Sequence, residues 1–347
     1  MKFNTKTIHG GQHVDPAFGS VMQPIYQTST YAQKSPGVHK GYEYSRTHNP
    51  TRTALQNSFA SIENAKYGVA FSSGLAAIDA IMKLLKPGDE LISTNDLYGG
   101  TYRLFSKVFK NYDIKFHFTS MFDLNEVESY INDKTRIIWV ETPTNPMINI
   151  FDIKSLSDIC KKHNILLVVD NTFASPYLCR PFEHGADIVV HSATKFICGH
   201  GTSIGGVIVE SGNFPWDNGK FPEMVEPSEG YHGIRFYETF GDFGFITKCR
   251  LETLRTLGPS LSPFNAWTFL QGLETLHLRM ERHVENAKKV ADYLNDHPLV
   301  KWVNYAGLEN NRYADLAEKY LPKGAGSILT FGIKGGKEAG IKFIENA

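Results

Sequence analysis

The chain has 347 residues, 41% of them hydrophobic, which is enough for one large domain and a smaller one. Basic and acidic residues both number 36, so the net charge gives no attraction to nucleic acid or to an anionic membrane. The longest aliphatic run, residues 165–169, is too short to span a bilayer, and the first residues lack the apolar core of a signal peptide. The four cysteines form no CxxC motif, so we expect reduced thiols in a cytoplasmic protein.

The first two thirds of the chain predict an arm followed by an α/β domain. Residues 1–55 show little periodicity and are rich in glycine, histidine, tyrosine and proline, which is typical of an extended arm. Helical patterns then alternate with short β-branched runs, which predicts a mostly parallel sheet covered on both faces over residues 56–258. Seven segments have the composition of strands: 69–71, 90–94, 115–119, 136–141, 165–170, 187–191 and 206–209.

The last third predicts a loop, a long helix and a small domain. Residues 211–245 are aromatic and rich in glycine and proline, which is typical of a loop. A helical pattern begins at Ser262 and Pro263, a plausible N-cap and first position, and continues to Asp296 before Pro298. Strand-like segments at 299–304 and 327–333 follow, so we expect a smaller α+β domain over residues 259–347, incomplete because the last helical pattern stops partway.

Asp170 and Lys195 are the most informative pair of residues, because each follows an apolar run with the character of a buried strand. The carboxyl ends of parallel strands meet at one edge, where open α/β sheets bind ligands. We expect Lys195 to be buried among hydroxyls and glycines, which favours the neutral amine that forms an imine with an aldehyde. Asp170 could simply cap the next helix, but beside such a lysine it would keep a pyridinium nitrogen protonated. This pair predicts a pyridoxal phosphate site.

Three more segments are expected at the same edge. Residues 71–75 link a strand to an amphipathic helix, where free amides suit a phosphate, although Ser73 could be a plain N-cap. Tyr98, on a glycine loop, could stack on a flat cofactor or serve only as a turn residue. Asn145 follows the strand at 136–141 and could meet polar atoms of the cofactor or substrate.

Other site chemistries find no support in the sequence. There is no GxGxxG after a strand and no Walker motif, which argues against a dinucleotide site and a P-loop. The histidines match no metal-binding spacing, so we predict no metal, and no cysteine has the setting of a hydrolase nucleophile.

These motifs together resemble the Cys/Met-metabolism pyridoxal-phosphate enzymes of fold type I, which include cystathionine synthases and lyases, methionine γ-lyase and O-acetylhomoserine sulfhydrylase. The motifs that carry the resemblance are Tyr44-Ser45-Arg46, Ser72-Ser73-Gly74, Glu141-Thr142-Pro143-Thr144-Asn145-Pro146, Val169-Asp170-Asn171-Thr172 and Ser192-Ala193-Thr194-Lys195. The resemblance extends from Lys6 to the last residue. It implies an α/β fold with a mostly parallel seven-stranded sheet, and pyridoxal 5'-phosphate as the cofactor.

The resemblance also implies a role for each matched residue. Lys195 would hold the cofactor as an imine and move protons, Asp170 would pair with the pyridine nitrogen, and Tyr98 would stack on the ring. Asn145 would lie near the ring hydroxyl and the substrate carboxylate. The phosphate would be bound by Ser73, Gly74, Leu75, Ser192 and Thr194.

An oligomer is part of what the resemblance implies. Tyr44 and Arg46 would reach the cofactor phosphate of the neighbouring subunit, and the planar guanidinium suits that contact. The active site would therefore exist only in a dimer, and relatives are usually homotetramers.

Within the family, four segments resemble O-acetylhomoserine sulfhydrylases more than lyases: 212–227, 231–233, 261–266 and 320–326. The implied reaction is γ-replacement, in which sulfide or a small thiol displaces acetate from O-acetyl-L-homoserine and gives homocysteine or methionine. Elimination by a methionine or cystathionine lyase is the first alternative.

A truncated cofactor-binding oligomer with impaired turnover is the second alternative. Family members continue for several dozen residues beyond the position of Ala347 and supply there an arginine for the substrate α-carboxylate. No residue here can be matched to that arginine. We therefore expect an intact cofactor site and reduced turnover by these 347 residues.

Overall fold

A seven-stranded sheet forms the centre of the computed structural model, which describes residues 1–347. The strands are β1 Tyr67–Phe71, β2 Glu90–Thr94, β3 Lys115–Thr119, β4 Thr135–Glu141, β5 Leu166–Asp170, β6 Ile188–Ser192 and β7 Gly206–Glu210. Their order in the sheet is β1-β7-β6-β5-β4-β2-β3. Strands β2 to β6 are parallel, whereas β7 is antiparallel to β1 and β6. The predicted mostly parallel sheet of seven strands is confirmed.

Both faces of the sheet are covered, which explains why its strands are continuous apolar runs. Successive residues of a strand point to opposite faces, and Val168 and Val169 accordingly belong to different apolar clusters. One cluster includes Phe59 and Leu270, and the other includes Ile81 and Trp139. Polar groups that end these strands therefore lie at an edge rather than on a face.

Helices supply the covering layers. They are α1 Phe3–His9, α2 Pro50–Glu63, α3 Gly74–Met82, α4 Gly99–Arg103, α5 Leu124–Ser129, α6 Ile153–His163, α7 Ser175–Leu178, α8 Pro222–Val225, α9 Phe236–Phe240, α10 Gly244–Lys248, α11 Pro263–Glu274, α12 Leu276–Asn295, α13 Ala314–Tyr320 and α14 Gly336–Glu345. π-helical turns cover Leu104–Val108 and Cys249–Leu257, and 3₁₀ turns cover Phe109–Tyr112, Pro181–His184, Glu229–Tyr231 and Gly241–Phe243. None of the helices combines the length and the apolar character needed to cross a membrane.

The N-terminal region contains a helix that the sequence pattern did not indicate. Helix α1 packs against α2 and is too short to show a clear period. Residues 10–49 contain isolated bridges but no strand or helix. Helix α2 begins directly after Asn49, whose side chain accepts hydrogen bonds from the N–H groups of Thr51 and Arg52.

The single long helix predicted from residue 263 to 296 is wrong, because the chain breaks into α11 and α12 at Thr275. The start is as predicted, with the Ser262 hydroxyl accepting the Asn265 N–H at 3.1 Å. Gly272 packs so closely on residues 197–198 that a Cβ would lie 2.3 Å from the Cys198 carbonyl oxygen. Arg279 donates to the Gly272 carbonyl at 2.6 Å, so a side chain takes the place of a helical amide at this break.

The prediction of a loop over residues 211–245 is also wrong in part. This segment contains α8, α9 and the start of α10, and its aromatic side chains belong to the core. Trp216 is 1% exposed, lies stacked on Phe245 with ring centroids 5.1 Å apart, and donates to Glu210 at 3.0 Å. The glycines and prolines separate short helices in this segment, and the packing of its aromatic side chains holds the segment on the sheet.

The C-terminal part is a small α+β unit. Strands β8 Val300–Asn304 and β9 Thr330–Ile333 form an antiparallel pair, beside α12 and α14. The elements agree with the predicted small domain, and its limits at residues 259–347 stay a prediction.

Candidate active site

A cavity of about 370 Å³ opens at the carboxyl edge of the sheet, a size typical of small-molecule sites. Strands β4, β5 and β6 end at it, and α3 begins there. Because parallel strands end at one edge, residues far apart in the sequence meet in this cavity. Nine of the eleven predicted site residues line it: Ser73, Gly74, Leu75, Tyr98, Asn145, Asp170, Ser192, Thr194 and Lys195.

Asp170 lies on the floor of the cavity as the last residue of β5 and is 8% exposed. Burial raises the pKa of Asp170, and hydrogen bonds from Thr172 and the charge of His191 act in the opposite direction. One carboxylate oxygen accepts the Thr172 N–H at 3.0 Å as well as the Thr172 hydroxyl, and no basic side chain forms a salt bridge with it. A pyridinium N–H would supply the missing positive partner. Thr172 was not given a role from the sequence, although a hydroxyl two residues after a carboxylate is a recognisable turn signal.

Lys195 follows β6 in a turn, and its N–H donates to the Ser192 carbonyl at 3.2 Å. Its side chain lines the same cavity as Asp170. The expectation that Lys195 is buried is wrong for the single chain, in which this lysine is exposed. Arg279 holds the next carbonyl, that of Phe196, at 2.6 Å, which limits the movement of the turn.

The N-terminus of α3 forms a polar cradle beside these residues. The Ser73 hydroxyl accepts the Ala76 N–H at 3.1 Å, so Ser73 does act as an N-cap. The amides of Gly74 and Leu75 precede the helical ladder and have no acceptor within the helix. A Cβ on Gly74 would lie 2.9 Å from the Ser192 Cβ, so only glycine lets this turn approach Ser192 so closely. Free amides, the helix dipole and nearby hydroxyls suit a phosphate group, and the two interpretations of Ser73 are compatible.

Tyr98 and Asn145 also line the cavity, on the loops that follow β2 and β4. Both are held by Glu141, which accepts the Tyr98 N–H at 3.0 Å and the Asn145 N–H at 2.8 Å. Burial, followed by the charge of Asp170, raises the pKa of Glu141 well above its usual range, while the two amides oppose the shift. Sequence reasoning gave Glu141 no role, although it ends β4 in register with Asp170 at the end of β5.

Tyr44 and Arg46 do not reach this cavity within one chain. They line a separate surface pocket of about 450 Å³ together with His48 and Arg255. The Arg46 guanidinium lies 5.2 Å from the centre of the Tyr44 ring. Their predicted contact with a neighbouring subunit therefore stays a prediction.

The residues that line the cavity fit pyridoxal phosphate. The cradle at α3 suits its phosphate, the Lys195 amine suits its aldehyde, and buried Asp170 lacks a cation that a protonated pyridine would supply. Sheet topology and cavity together define an α/β protein of the fold type I class of pyridoxal-phosphate enzymes.

Comparisons with known proteins identify the family. The Cys/Met metabolism PLP-dependent enzyme family matches residues 4–347. O-acetyl-L-homoserine sulfhydrylase from Leptospira meyeri is 45% identical, over 99% of this chain and 82% of that protein. Cystathionine beta-lyase from Coxiella burnetii is 42% identical, over 94% of this chain and 76% of that protein.

A solved structure is also similar to this chain. It is the crystal structure of a putative O-acetylhomoserine (thiol)-lyase from Campylobacter jejuni, with N'-pyridoxyl-lysine-5'-monophosphate. It has a TM-score of 0.92 and 36% identity, over 96% of this chain and 86% of that one. The chain belongs to the Cys/Met metabolism PLP-dependent enzyme family, and pyridoxal phosphate is its cofactor.

Proposed function

We propose that this enzyme catalyses γ-replacement on O-acetyl-L-homoserine, in which sulfide or methanethiol displaces acetate and gives L-homocysteine or L-methionine. The observation that carries the proposal is the meeting of Lys195, Asp170 and the N-terminus of α3 at one cavity, in a chain similar to an O-acetyl-L-homoserine sulfhydrylase. A role in methionine biosynthesis follows from the products.

Each residue of the cavity has a proposed task. When bound, pyridoxal phosphate supplies an electron-accepting ring next to the α-carbon of the substrate. Lys195 is the only lysine that lines the cavity, and we assign to it the attachment of the cofactor and the transfer of the α-proton. Asp170 would keep the ring nitrogen protonated, and Tyr98 would stack on the ring. Asn145 binds the ring hydroxyl and the substrate carboxylate.

The phosphate has two sets of proposed ligands. The cradle residues of the same chain are Ser73, Gly74, Leu75, Ser192 and Thr194, all of which line the cavity. Tyr44 and Arg46 of a second copy complete the set in an active-site dimer, two of which form a homotetramer. This assignment is supported by the arm's exposed apolar side chains, including Phe18 at 95% and Val21 at 77%, which a second copy would cover.

The domain limits and the location are part of the proposal. Residues 1–55 form the arm, 56–258 the cofactor-binding domain and 259–347 the small domain. The four cysteines are buried free thiols, which suits a reducing compartment such as the cytoplasm.

Elimination is the second candidate function, because the chain is also similar to a cystathionine β-lyase. Both reactions use the same cofactor and the same lysine. They differ in whether the amino group stays on the product or leaves as ammonia.

Product analysis separates the two functions. The purified chain, loaded with pyridoxal phosphate, is incubated with O-acetyl-L-homoserine with and without sulfide, and the Lys195→Ala variant is the control. Replacement yields acetate and homocysteine in equal amounts and only with sulfide. Release of ammonia and a 2-oxo acid without homocysteine assigns the lyase function instead. No product in either mixture, from a chain that binds the cofactor, contradicts both functions and favours the oligomer with impaired turnover.

A further inference from the structure

Glu141 is an acidic residue at the cavity that the proposed chemistry does not use. It is the last residue of β4, is 5% exposed and lines the cavity beside Asp170. Its two carboxylate oxygens are both occupied, one by the N–H of Tyr98 and the other by the N–H of Asn145. One side chain therefore fixes the backbone of two loops whose own side chains face the cofactor site.

A second carboxylate links the same two loops in the reverse direction. Asp96, on the loop after β2, accepts the Met147 N–H at 3.2 Å and the Asn149 side-chain amide at 3.1 Å, and it also accepts the Thr144 hydroxyl. Glu141, directly before the loop after β4, thus contacts the loop after β2. Asp96, on the loop after β2, contacts the loop after β4. We call this arrangement of Glu141 and Asp96 the carboxylate clamp.

The chemistry of the clamp requires an acid at position 141. The amides of Tyr98 and Asn145 contact different oxygens of Glu141. A glutamine in the same position would place its oxygen against one amide and turn its NH₂ group, a donor, toward the other. Hydrogen bonds to a carboxylate are also stronger than those to a neutral amide. Burial and the neighbouring Asp170 raise the pKa of Glu141, whereas the N–H groups of Tyr98 and Asn145 act in the opposite direction. Because each carboxyl oxygen accepts one of these N–H groups, the two loop contacts favour the ionised form of Glu141.

We propose that Glu141 is a positioning residue, which holds the loops after β2 and β4 so that the Tyr98 ring and the Asn145 amide face the bound cofactor. The inference deepens the proposed function and depends on it for its catalytic meaning. Asp96 supports the same two loops from the other side.

Glu210 is a matched control, since it is also a fully buried glutamate at the end of a strand. It accepts the Trp216 ring N–H at 3.0 Å, does not line the cavity and lies at the opposite edge of the sheet because β7 runs antiparallel to β6. A Glu210→Gln change replaces a buried carboxyl group without touching the clamp.

Hydrogen exchange read by mass spectrometry tests the clamp directly, on the chain with and without pyridoxal phosphate. In Glu141→Ala we expect exchange in segments 95–104 and 142–149 to become at least about tenfold faster, because both amides lose a charged acceptor. Glu141→Gln should loosen one segment more than the other, and Glu210→Gln should match the parent chain in both.

The same variants are compared for cofactor binding. We expect the dissociation constant of pyridoxal phosphate to rise about tenfold in Glu141→Ala, since Tyr98 and Asn145 no longer face the ring. The visible circular dichroism of the bound cofactor should weaken, because the ring is less firmly oriented. Glu210→Gln should change neither quantity.

Two results would overturn the inference: parent-like exchange and dichroism in Glu141→Ala, or equal changes in Glu210→Gln. If Glu141→Ala does not fold, Asp96→Asn is measured instead. Faster exchange in segment 142–149 then supports the clamp, and unchanged exchange contradicts it. Failure of the parent chain to bind the cofactor would refute the proposed function, while the exchange data would still decide whether the clamp exists.

Discussion

The carboxyl edge of the central sheet and the N-terminal arm differ in how their site residues are held. At the edge, Asp170 and Ser192 end hydrogen-bonded strands, and the segments after them pack against buried side chains. In the arm, Tyr44 is 43% exposed and Arg46 stacks on its ring, in a stretch without helix or strand. A single chain thus contains the part of the cofactor site that lies at the carboxyl edge of the sheet.

The difference shows which parts of the site depend on the fold and which depend on assembly. Residues at strand ends are positioned by the backbone ladder, so their geometry is present in a single chain. The side chains of Tyr44 and Arg46 in the arm are exposed in the single chain, and we propose that a second copy positions them. Changes at the edge should therefore alter chemistry, and changes in the arm should alter cofactor retention and assembly.

The largest effect is expected at Lys195. Lys195→Ala removes the amine that attaches the cofactor and moves the proton, so turnover should fall by at least about 10²–10⁴-fold. Steady-state rates with O-acetyl-L-homoserine and sulfide measure the loss, and Lys110→Ala, an exposed lysine outside the cavity, should leave them unchanged. Turnover close to that of the parent chain would remove Lys195 from the mechanism.

Asp170→Asn should have the next largest effect. Asparagine keeps an oxygen for the Thr172 hydroxyl but cannot hold the ring nitrogen protonated, so we expect turnover to fall about 10²–10³-fold while the protein stays folded. Stopped-flow rates and thermal melting measure the two quantities separately. Equal rates in Asp170→Asn and the parent chain would show that the carboxylate has no electrostatic role.

Arg46→Ala tests the arm. Loss of a charge-assisted contact to phosphate should raise the dissociation constant of pyridoxal phosphate about tenfold or more. Equilibrium dialysis measures this change, and the size of the oligomer is followed by light scattering. A dissociation constant equal to that of the parent chain would contradict the proposed contact.

Mixing experiments sharpen the same comparison. If each site takes Lys195 from one chain and Arg46 from the other, hybrids of Lys195→Ala and Arg46→Ala contain one intact site per dimer, and random mixing should restore up to about a quarter of parent activity. Hybrids formed without any gain in activity would place both residues in the same chain's site.

The smallest effect is expected for Glu210, at the opposite edge of the sheet. Burial raises the pKa of Glu210 to about 8 from an ordinary 4.5. The folded state therefore binds this proton more tightly than the unfolded state, and stability falls as the pH rises from about 4.5 through 8. Glu210→Gln keeps an acceptor for Trp216 and should flatten this slope in urea unfolding across that range. An unchanged slope would contradict the assignment, and activity should be unaffected.

Sequence patterns revealed the edge of the sheet well, because strand ends and the residues after them are local features. Lys195, Asp170 and Asn145 could be placed at one cavity on this basis, and the structure brings them together. The break at Thr275 depends on contacts of Gly272 with Cys198 and Arg279, which no local pattern contains.

Two features of the site could not be derived from local patterns. Glu141 can link two loops only because it also contacts an amide 43 residues away, that of Tyr98. Lys195 is exposed although most of the strand before it is buried, so the burial of that strand does not decide the burial of the turn that follows it. Both depend on tertiary contacts rather than on the residues next in sequence.

Reduction of the holoenzyme with borohydride, followed by peptide mapping, identifies the residue to which the cofactor is attached. We expect a pyridoxyl group on Lys195 alone, with loss of the visible absorbance of the bound cofactor. A colourless protein after incubation with excess pyridoxal phosphate, or a pyridoxyl group on another lysine, would contradict this expectation.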